Sequence, residues 1–289
     1  MIQLIISGLS MGIIYALVAC GFSLIFRMTR VLNFASGDLV MAGGMIGYSL
    51  YVLVGLPFWL ALPGSMLAIA ILMLVIERLA LAPVYRQGIL AGVVVTIGLS
   101  FVLQNSAQII WGRGGFSFPS VFGNEAVEVA GMRVVPELAA IFLIGAVAVA
   151  LLGWFLTRTK IGLAARATAA DRETALLMGI DTRGMNLISF FVSGALSGLA
   201  GVLLAPVTFL TATIGLPLGL MGFVAALVGG LGSMPGAVAG GLILGVVELV
   251  VAAHIDANYR ESIAFVVMIA ILLVRPYGIF GEEGTEEER

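Results

Sequence analysis

Nine long apolar runs, parted by short clusters of charged and turn residues, divide the chain at residues 2–26, 39–56, 58–76, 89–110, 137–156, 185–205, 218–231, 236–254 and 262–274. A helix crosses the hydrocarbon layer in about 20 residues, and lipid offers no water to a backbone amide, so runs of this kind predict membrane-spanning helices. The period-two alternation of barrel strands is absent. The expected fold is an all-α integral membrane protein, a polytopic helical bundle of about eight or nine spans. Two runs are irregular: the one at 39–56 is interrupted by Gly43, Gly44 and Gly47, and the one at 218–231 is short. Either is expected to be broken or re-entrant and to line a pathway, because irregular backbone survives at membrane depth only against protein or a water-filled cavity.

Composition removes the soluble alternative. Hydrophobic residues make up 61% of the 289 and charged residues only 10%, against roughly 25% charged in an ordinary soluble domain. The formal net charge of −2 carries no clustered basic face for nucleic acid. One cysteine, Cys20, and one histidine, His254, exclude a disulfide, a thiolate cage or a multi-histidine metal site, and no cofactor or metal is expected. Cys20 reads as a small packing residue and His254 as interfacial, near Asp256. The first 26 residues contain no charge, so the opening run is expected to be a retained span rather than a cleaved signal.

Charge reports orientation instead. If the spans alternate, Arg27, Arg30, Arg78, Arg86, Arg158, Lys160, Arg166, Arg172, Arg183 and Arg275 fall on one side, which is the cytoplasm. Arg113, Arg133 and Arg260 fall opposite, with Glu125, Glu128, Glu137, Asp256 and Glu261. The N-terminus is expected outside and the C-terminus inside. Residues 1–281 form one transmembrane domain with a cytoplasmic loop at 157–184, and residues 282–289 form an acidic, solvated tail.

Small residues recur four apart at Gly8 and Gly12, Gly43 and Gly47, Gly194 and Gly198, Gly236 and Gly240, and Gly241 and Gly245, a spacing that lets helices approach closely. The loop at 157–184 reads as a short surface helix over 162–178, ended by Gly179, with Asp181 capping the next helix. Arg166, Asp171, Arg172 and Glu173 keep that surface helix wet. Asn33, Ser36, Gly37 and Asp38 place an amide, a hydroxyl, a flexible residue and a carboxylate where a broken span meets the membrane. They either shape the inner end of a pathway or cap the helix near Leu39. Glu248, inside an apolar span, either faces the pathway or joins a buried network with Gln104, Asn105 or Gln108. Gly232, Ser233, Pro235 and Gly236 read as a turn and helix start rather than a phosphate loop, since no Lys followed by Ser or Thr comes after them.

Three stretches resemble the permease subunits of branched-chain amino acid ABC transporters: VLNFASGDL at 31–39, IGLAARATAADRETALLMGID at 161–181, and GGLGSMPGAVAGGLILGVVE at 229–248. With the span pattern the resemblance covers nearly the whole chain. Glu173, Ala175 and Gly179 fall on the Glu-Ala-Ala then Gly pattern with which such permeases dock on their ATPases, Thr174 replacing one Ala, and Leu176 belongs to the same loop. Many relatives read Asn-Phe-Ala-His-Gly where this chain has Asn33, Phe34, Ala35, Ser36 and Gly37. The role of that imidazole does not carry over.

The resemblance implies an inner-membrane transport subunit that hydrolyses nothing itself. It implies two ATP-binding subunits, a second related permease chain or a second copy of this one, and an external solute-binding protein. The substrate it points to is leucine, isoleucine and valine, with other amino acids, urea or short amides open. An ion-coupled secondary transporter is the alternative. With one His and one Lys, Lys160, a buried nucleophile pair for an intramembrane enzyme is nearly excluded.

Overall fold

A helix with almost no charged residues finds its partners through shape, and the glycines supply it. The computed structural model describes residues 2–85, 87–123, 125, 127–129, 132–254 and 259–281. In chain order these form α1 (Ile2–Thr29), α2 (Ser36–Tyr48), α3 (Phe58–Ile76), α4 (Ile89–Trp111), a hairpin of β1 (Val127–Val129) and β2 (Met132–Val134), α5 (Pro136–Arg158), α6 (Lys160–Ala170), α7 (Arg172–Leu177), α8 (Thr182–Leu204), α9 (Gly215–Gly229), α10 (Met234–His254) and α11 (Arg260–Val274). Each of the nine apolar runs holds a helix. Among the described residues six helices, α1, α3, α4, α5, α8 and α10, are long and apolar enough to cross a membrane. The acidic run 282–289 and Asp256 lie outside the described residues.

α1 and α8 form the interior, and α4 and α5 the outer wall. Leu90 and Ile109 on α4 are more than four-fifths exposed, as suits side chains that face lipid rather than water. α1 is held by α10 through interlocking small residues. A Cβ built on Gly8 would lie 2.9 Å from the Val246 Cα, and one on Gly12 would lie 2.9 Å from both the Gly241 carbonyl oxygen and the Leu242 Cα. Gly241 and Gly245 meet Ala16 and Gly12 in return. A second seam runs through α2, α8 and α3: Gly43 abuts the Gly198 Cα, and Gly194 and Gly198 abut Ala70 and Met66. Hydrocarbon tails are as apolar as leucine, so van der Waals contact at this distance supplies the attraction between helices.

Polar side chains tie the remaining pieces. Ser65 on α3 donates to the Gly43 carbonyl at 2.7 Å and Ser10 on α1 to the Leu138 carbonyl at 2.8 Å. α2 ends in a π-helical turn, Ser49–Leu53, and Trp111 Nε1 at the end of α4 donates to Ser49 Oγ at 2.7 Å. Glu137, grouped by sequence with the surface charges, is buried instead. Its Oε2 accepts from Ser120 Oγ at 2.7 Å and from the amides of Val121 and Phe122 at 3.1 and 2.9 Å. That carboxylate sits in the first turn of α5, where the helix dipole favours negative charge, and it fixes the loop carrying Phe116, Phe118 and Phe122. Those rings pack with Tyr48, Tyr51 and Phe58 into an aromatic cap.

The surface helix expected over 162–178 is two helices. Thr159 caps α6 by accepting from the Gly162 amide at 3.0 Å, and the chain turns extended at Asp171, where φ is −149°. Asp171 Oδ1 then accepts from the amides of Glu173 and Thr174 at 2.9 and 3.2 Å. An aspartate whose carboxylate competes for backbone amides starts a helix better than it continues one. Gly179 adopts φ +80° behind α7, and Asp181 caps α8 through the Arg183 amide at 3.1 Å, both as expected.

Gly12→Val should force α1 and α10 apart and cost about 1–3 kcal/mol by overpacking. Gly98→Ala, where nothing lies within 4 Å of the added carbon, should be neutral or stabilise by up to about 1 kcal/mol through helix propensity. Thermal unfolding of both variants in one mild detergent checks the contrast.

Candidate translocation site

Between α1 and α2 the chain leaves helical geometry for residues 30–35. Asn33 anchors the bend: its Oδ1 accepts from the Ala35 amide at 3.2 Å, and Ser36 Oγ donates to the Asn33 carbonyl at 2.8 Å. The small Ser36 hydroxyl therefore closes on its own turn. Gly37 has no room for a side chain, because a Cβ there would collide with the backbone of Gly215 and Gly219 on α9.

Asp38 is fully buried in the first turn of α2 and does not cap it; the N-cap, Ala35, has no side-chain cap. Its carboxylate crosses to α4 instead, where Ser100 Oγ donates to Oδ2 and Gln104 Nε2 donates to Oδ1 at 3.0 Å. Gln104 Nε2 also lies 3.2 Å from Ser100 Oγ. Ser100 and Gln104 stand four residues apart on one face of α4, so one carboxylate engages both. Asn33 Nδ2 is buried without a hydrogen-bond partner in the protein.

α9 opens opposite the same point. After α8 the chain turns through Ala205–Val207, pairs Leu210 with Phe116, and enters α9 at Gly215. A Cβ on Gly215 would meet the Asp38 side chain and backbone. With 15 residues α9 is about 22 Å long, short of a roughly 30 Å hydrocarbon core. The two irregular segments of the sequence thus meet each other, with Asp38 between their N-terminal ends.

Glu248 is buried on α10. It lines a cavity of about 610 Å³ with Tyr15 of α1, Leu204 of α8 and Ile214, Pro217 and Met221 at the head of α9. Of the partners expected on α4, Gln104 Nε2 donates to Asp38 and Asn105 Nδ2 to the Phe101 carbonyl at 2.7 Å. α10 packs on α1, α9 and α11, while α4 leans on α2.

The turn after α9 behaves as its residues predict. Gly230 and Gly232 take positive φ, Ser233 Oγ accepts from the Gly236 amide at 3.3 Å at the start of α10, and Pro235 sits in the first turn. The amides of Ile279 and Phe280 satisfy the final carbonyls of α9, Val228 and Gly229, at 3.0 and 2.9 Å.

At the far end of the loop, α7 buries Ala175 and presents Leu176, Leu177 and Met178 outward, Leu177 87% exposed. Arg172, Glu173 and Gly179 are exposed around them, and Arg166 is half-buried on α6. Sequence reasoning missed Ser100 and Glu137 as partners. Ser100 was signalled by its spacing from Gln104 inside an apolar run. Among the described residues no group of three or more His, Cys, Asp or Glu is placed to hold a metal ion.

Comparison with known proteins places this geometry. Residues 4–272 match the family model described as branched-chain amino acid transport system / permease component. The high-affinity branched-chain amino acid transport system permease protein LivH of Salmonella typhimurium is 31% identical over 99% of this chain and 97% of its own length. The corresponding BraD protein of Pseudomonas aeruginosa is also 31% identical with the same coverage, and a probable LivH of Methanocaldococcus jannaschii is 30% identical over 94% of this chain and 90% of its own. PsaBC from Streptococcus pneumoniae, solved with a Fab, shares the fold at a TM-score of 0.52 and 14% identity, over 95% of this chain and 92% of that one. Matched over nearly its whole length by the family model and by these relatives, the chain belongs to the permease components of branched-chain amino acid transport systems.

Proposed function

We propose that this chain is the membrane-spanning subunit of an ATP-driven importer of branched-chain amino acids in a bacterial-type inner membrane. The observation that carries the mechanism is the meeting of the two interrupted segments at Asp38, on a scaffold of glycine-locked helices. The nine helices cross or enter the membrane with the N-terminus outside and the C-terminus in the cytoplasm, in keeping with the arginines that cluster at the ends of α1, α3, α5 and the 157–184 loop. The chain hydrolyses nothing. Two ATP-binding subunits do so, joined by a second permease chain, related or identical, and an external solute-binding protein.

Coupling enters through α7. Leu176, Leu177 and Met178 form an apolar knob beside Glu173, and a knob this exposed at the end of a short rigid helix is suited to a socket on an ATP-binding subunit. α6 joins that knob to α5 through Gly162, which packs directly on the Leu156 backbone, so a push on α7 is carried into the bundle. Movement reaches the pathway where α2 and α9 begin. Asn33, Ser36, Gly37 and Asp38 form its inner part, with the buried Asn33 Nδ2 available to a polar solute. The cavity containing Glu248 lies on the other flank of α9. The bond from Asp38 to α4 is made in this conformation, and exchange of that bond during the cycle changes the relative energy of two states.

Two outcomes test these roles. Asp38→Ala strands Ser100 and Gln104, so uptake of labelled leucine by cells carrying the complete transporter should fall about ten- to a hundredfold, matching the ~1.5–3 kcal/mol of a charged hydrogen bond, with membrane content of the chain little changed. Undiminished uptake would remove Asp38 from the mechanism. Leu177→Glu should leave the chain folded, since the side chain is exposed, while recovery of ATP-binding subunits in a pull-down drops about tenfold or more, as for a central apolar anchor. Full recovery would place the docking surface elsewhere.

A further inference from the structure

Where α1, α5, α6 and the turn before α10 converge, they enclose a cavity of about 730 Å³, within the roughly 300–1,000 Å³ span of small-molecule sites. The cavity has two chemically distinct ends. Arg27, Arg30 and Arg166 line it together with Ser233, while Leu24, Val149, Leu152, Leu156 and Val238 form its apolar part. Among the described residues that line it there is no Asp or Glu. Arg27 and Arg30 are exposed at its rim and Arg166 is half-buried, so an anion seated there is attracted by all three at once.

The arginines are also posed. Arg30 has φ +56°, which among the described residues no other non-glycine residue shares as a positive value. Its amide completes α1 by donating to the Phe26 carbonyl at 2.8 Å, and its guanidinium carbon lies 5.7 Å from the centre of the Phe26 ring. Arg166 Nε is buried and has no hydrogen-bond partner in the protein. A buried guanidinium N–H without an acceptor is costly to the folded chain, and an acceptor oxygen in the cavity removes that cost. The α5 wall is open: Gly153 and Thr157 line the cavity and are exposed, next to Leu151 and Trp154, which are 60% and 59% exposed on the outer face. An occupant therefore enters sideways from the bilayer.

We propose that this cavity binds one anionic phospholipid, its phosphate between Arg27, Arg30 and Arg166 and an acyl chain along Leu152 and Leu156. Adjacent basic and apolar walls at a membrane boundary are what an anionic lipid requires. The acidic run 282–289 follows Gly281, itself a lining residue. That run has no apolar side chain with which to fill the inner wall, so the lipid is the better match. A lipid there would tie α6, and with it the 157–184 loop, to α1 and α5, making coupling sensitive to bilayer composition.

The test is native mass spectrometry of the transporter assembled with its partner subunits, titrated with phosphatidylglycerol or phosphatidylcholine of the same acyl chains. Phosphatidylglycerol should be retained about ten- to a hundredfold more tightly, as three arginines near one headgroup imply. The preference should fall at least about threefold in Arg166→Gln and vanish in Arg27→Gln/Arg30→Gln/Arg166→Gln, and it should persist in the triple Lys variant, which keeps the charge. Millimolar inorganic phosphate should not displace the lipid, and truncation after Gly281 should leave its retention unchanged. An assembled Arg166→Gln complex with undiminished preference would overturn the proposal. So would displacement by inorganic phosphate, which would make this a free-anion site, or a tenfold gain in lipid retention on truncation, which would make the tail the occupant.

Discussion

Backbone-to-backbone contact between α1 and α10 is the constraint on which the other arrangements rest. Gly8 and Gly12 face Gly241 and Gly245 so closely that a Cβ on any of them meets main-chain atoms of the facing helix. No aqueous hydrophobic effect drives helices together inside lipid, so surface fit must do so. With α1 fixed on α10, α8 can close from the other side, where Ser193 touches Gly21, and the interior becomes a framework of small residues. Larger side chains are pushed outward, to the exposed walls of α4 and α5.

That framework shelters irregular backbone. The 30–35 bend, the π-helical turn after α2 and the segment leading into α9 would each expose unsatisfied groups to hydrocarbon if they stood alone. Here Ser36 and Asn33 satisfy the first, Trp111 braces the second through Ser49, and Phe116 pairs with Leu210 on the third. Asp38 occupies the junction. A carboxylate so placed holds α2 to α4 only while Ser100 and Gln104 face it, which makes the junction responsive to any shift of α4 or α9. The other buried acids serve different ends: Glu77 accepts from the Tyr85 hydroxyl at 3.2 Å, Glu137 holds an outer loop in place through two backbone amides and a serine, and Glu248 lines a separate cavity.

Much of the fold could be read from the chain because membrane burial writes itself in long apolar runs. All nine runs became helices, and the four-residue spacing of glycines marked the contact faces. Which glycine pair met which was not legible, since spacing along one helix carries no information about its partner; α1 with α10 and α2 with α8 emerged only in three dimensions. Asp38 shows the same limit at a site. Its position before a helix suggested a cap, yet the helix starts two residues earlier and the carboxylate turns to α4. For Glu248 the sequence left a pathway role and a network with α4 open, and Gln104, one of the partners considered, bonds to Asp38 instead. Asp171 split a surface helix that alanine and leucine content had favoured as one piece.

On the proposed function, glycine-locked helices, a junction at Asp38 and an apolar knob on α7 belong to a subunit that moves solute only when another protein supplies the work. Reconstitution into liposomes decides this most directly: the chain alone, and the chain with its ATP-binding subunits, second permease and solute-binding protein, each assayed for leucine accumulation with ATP and with an imposed proton gradient. Accumulation that requires the partner subunits and ATP, and ignores the gradient, is the predicted result. Accumulation by the chain alone, driven by the gradient without ATP, would contradict the account.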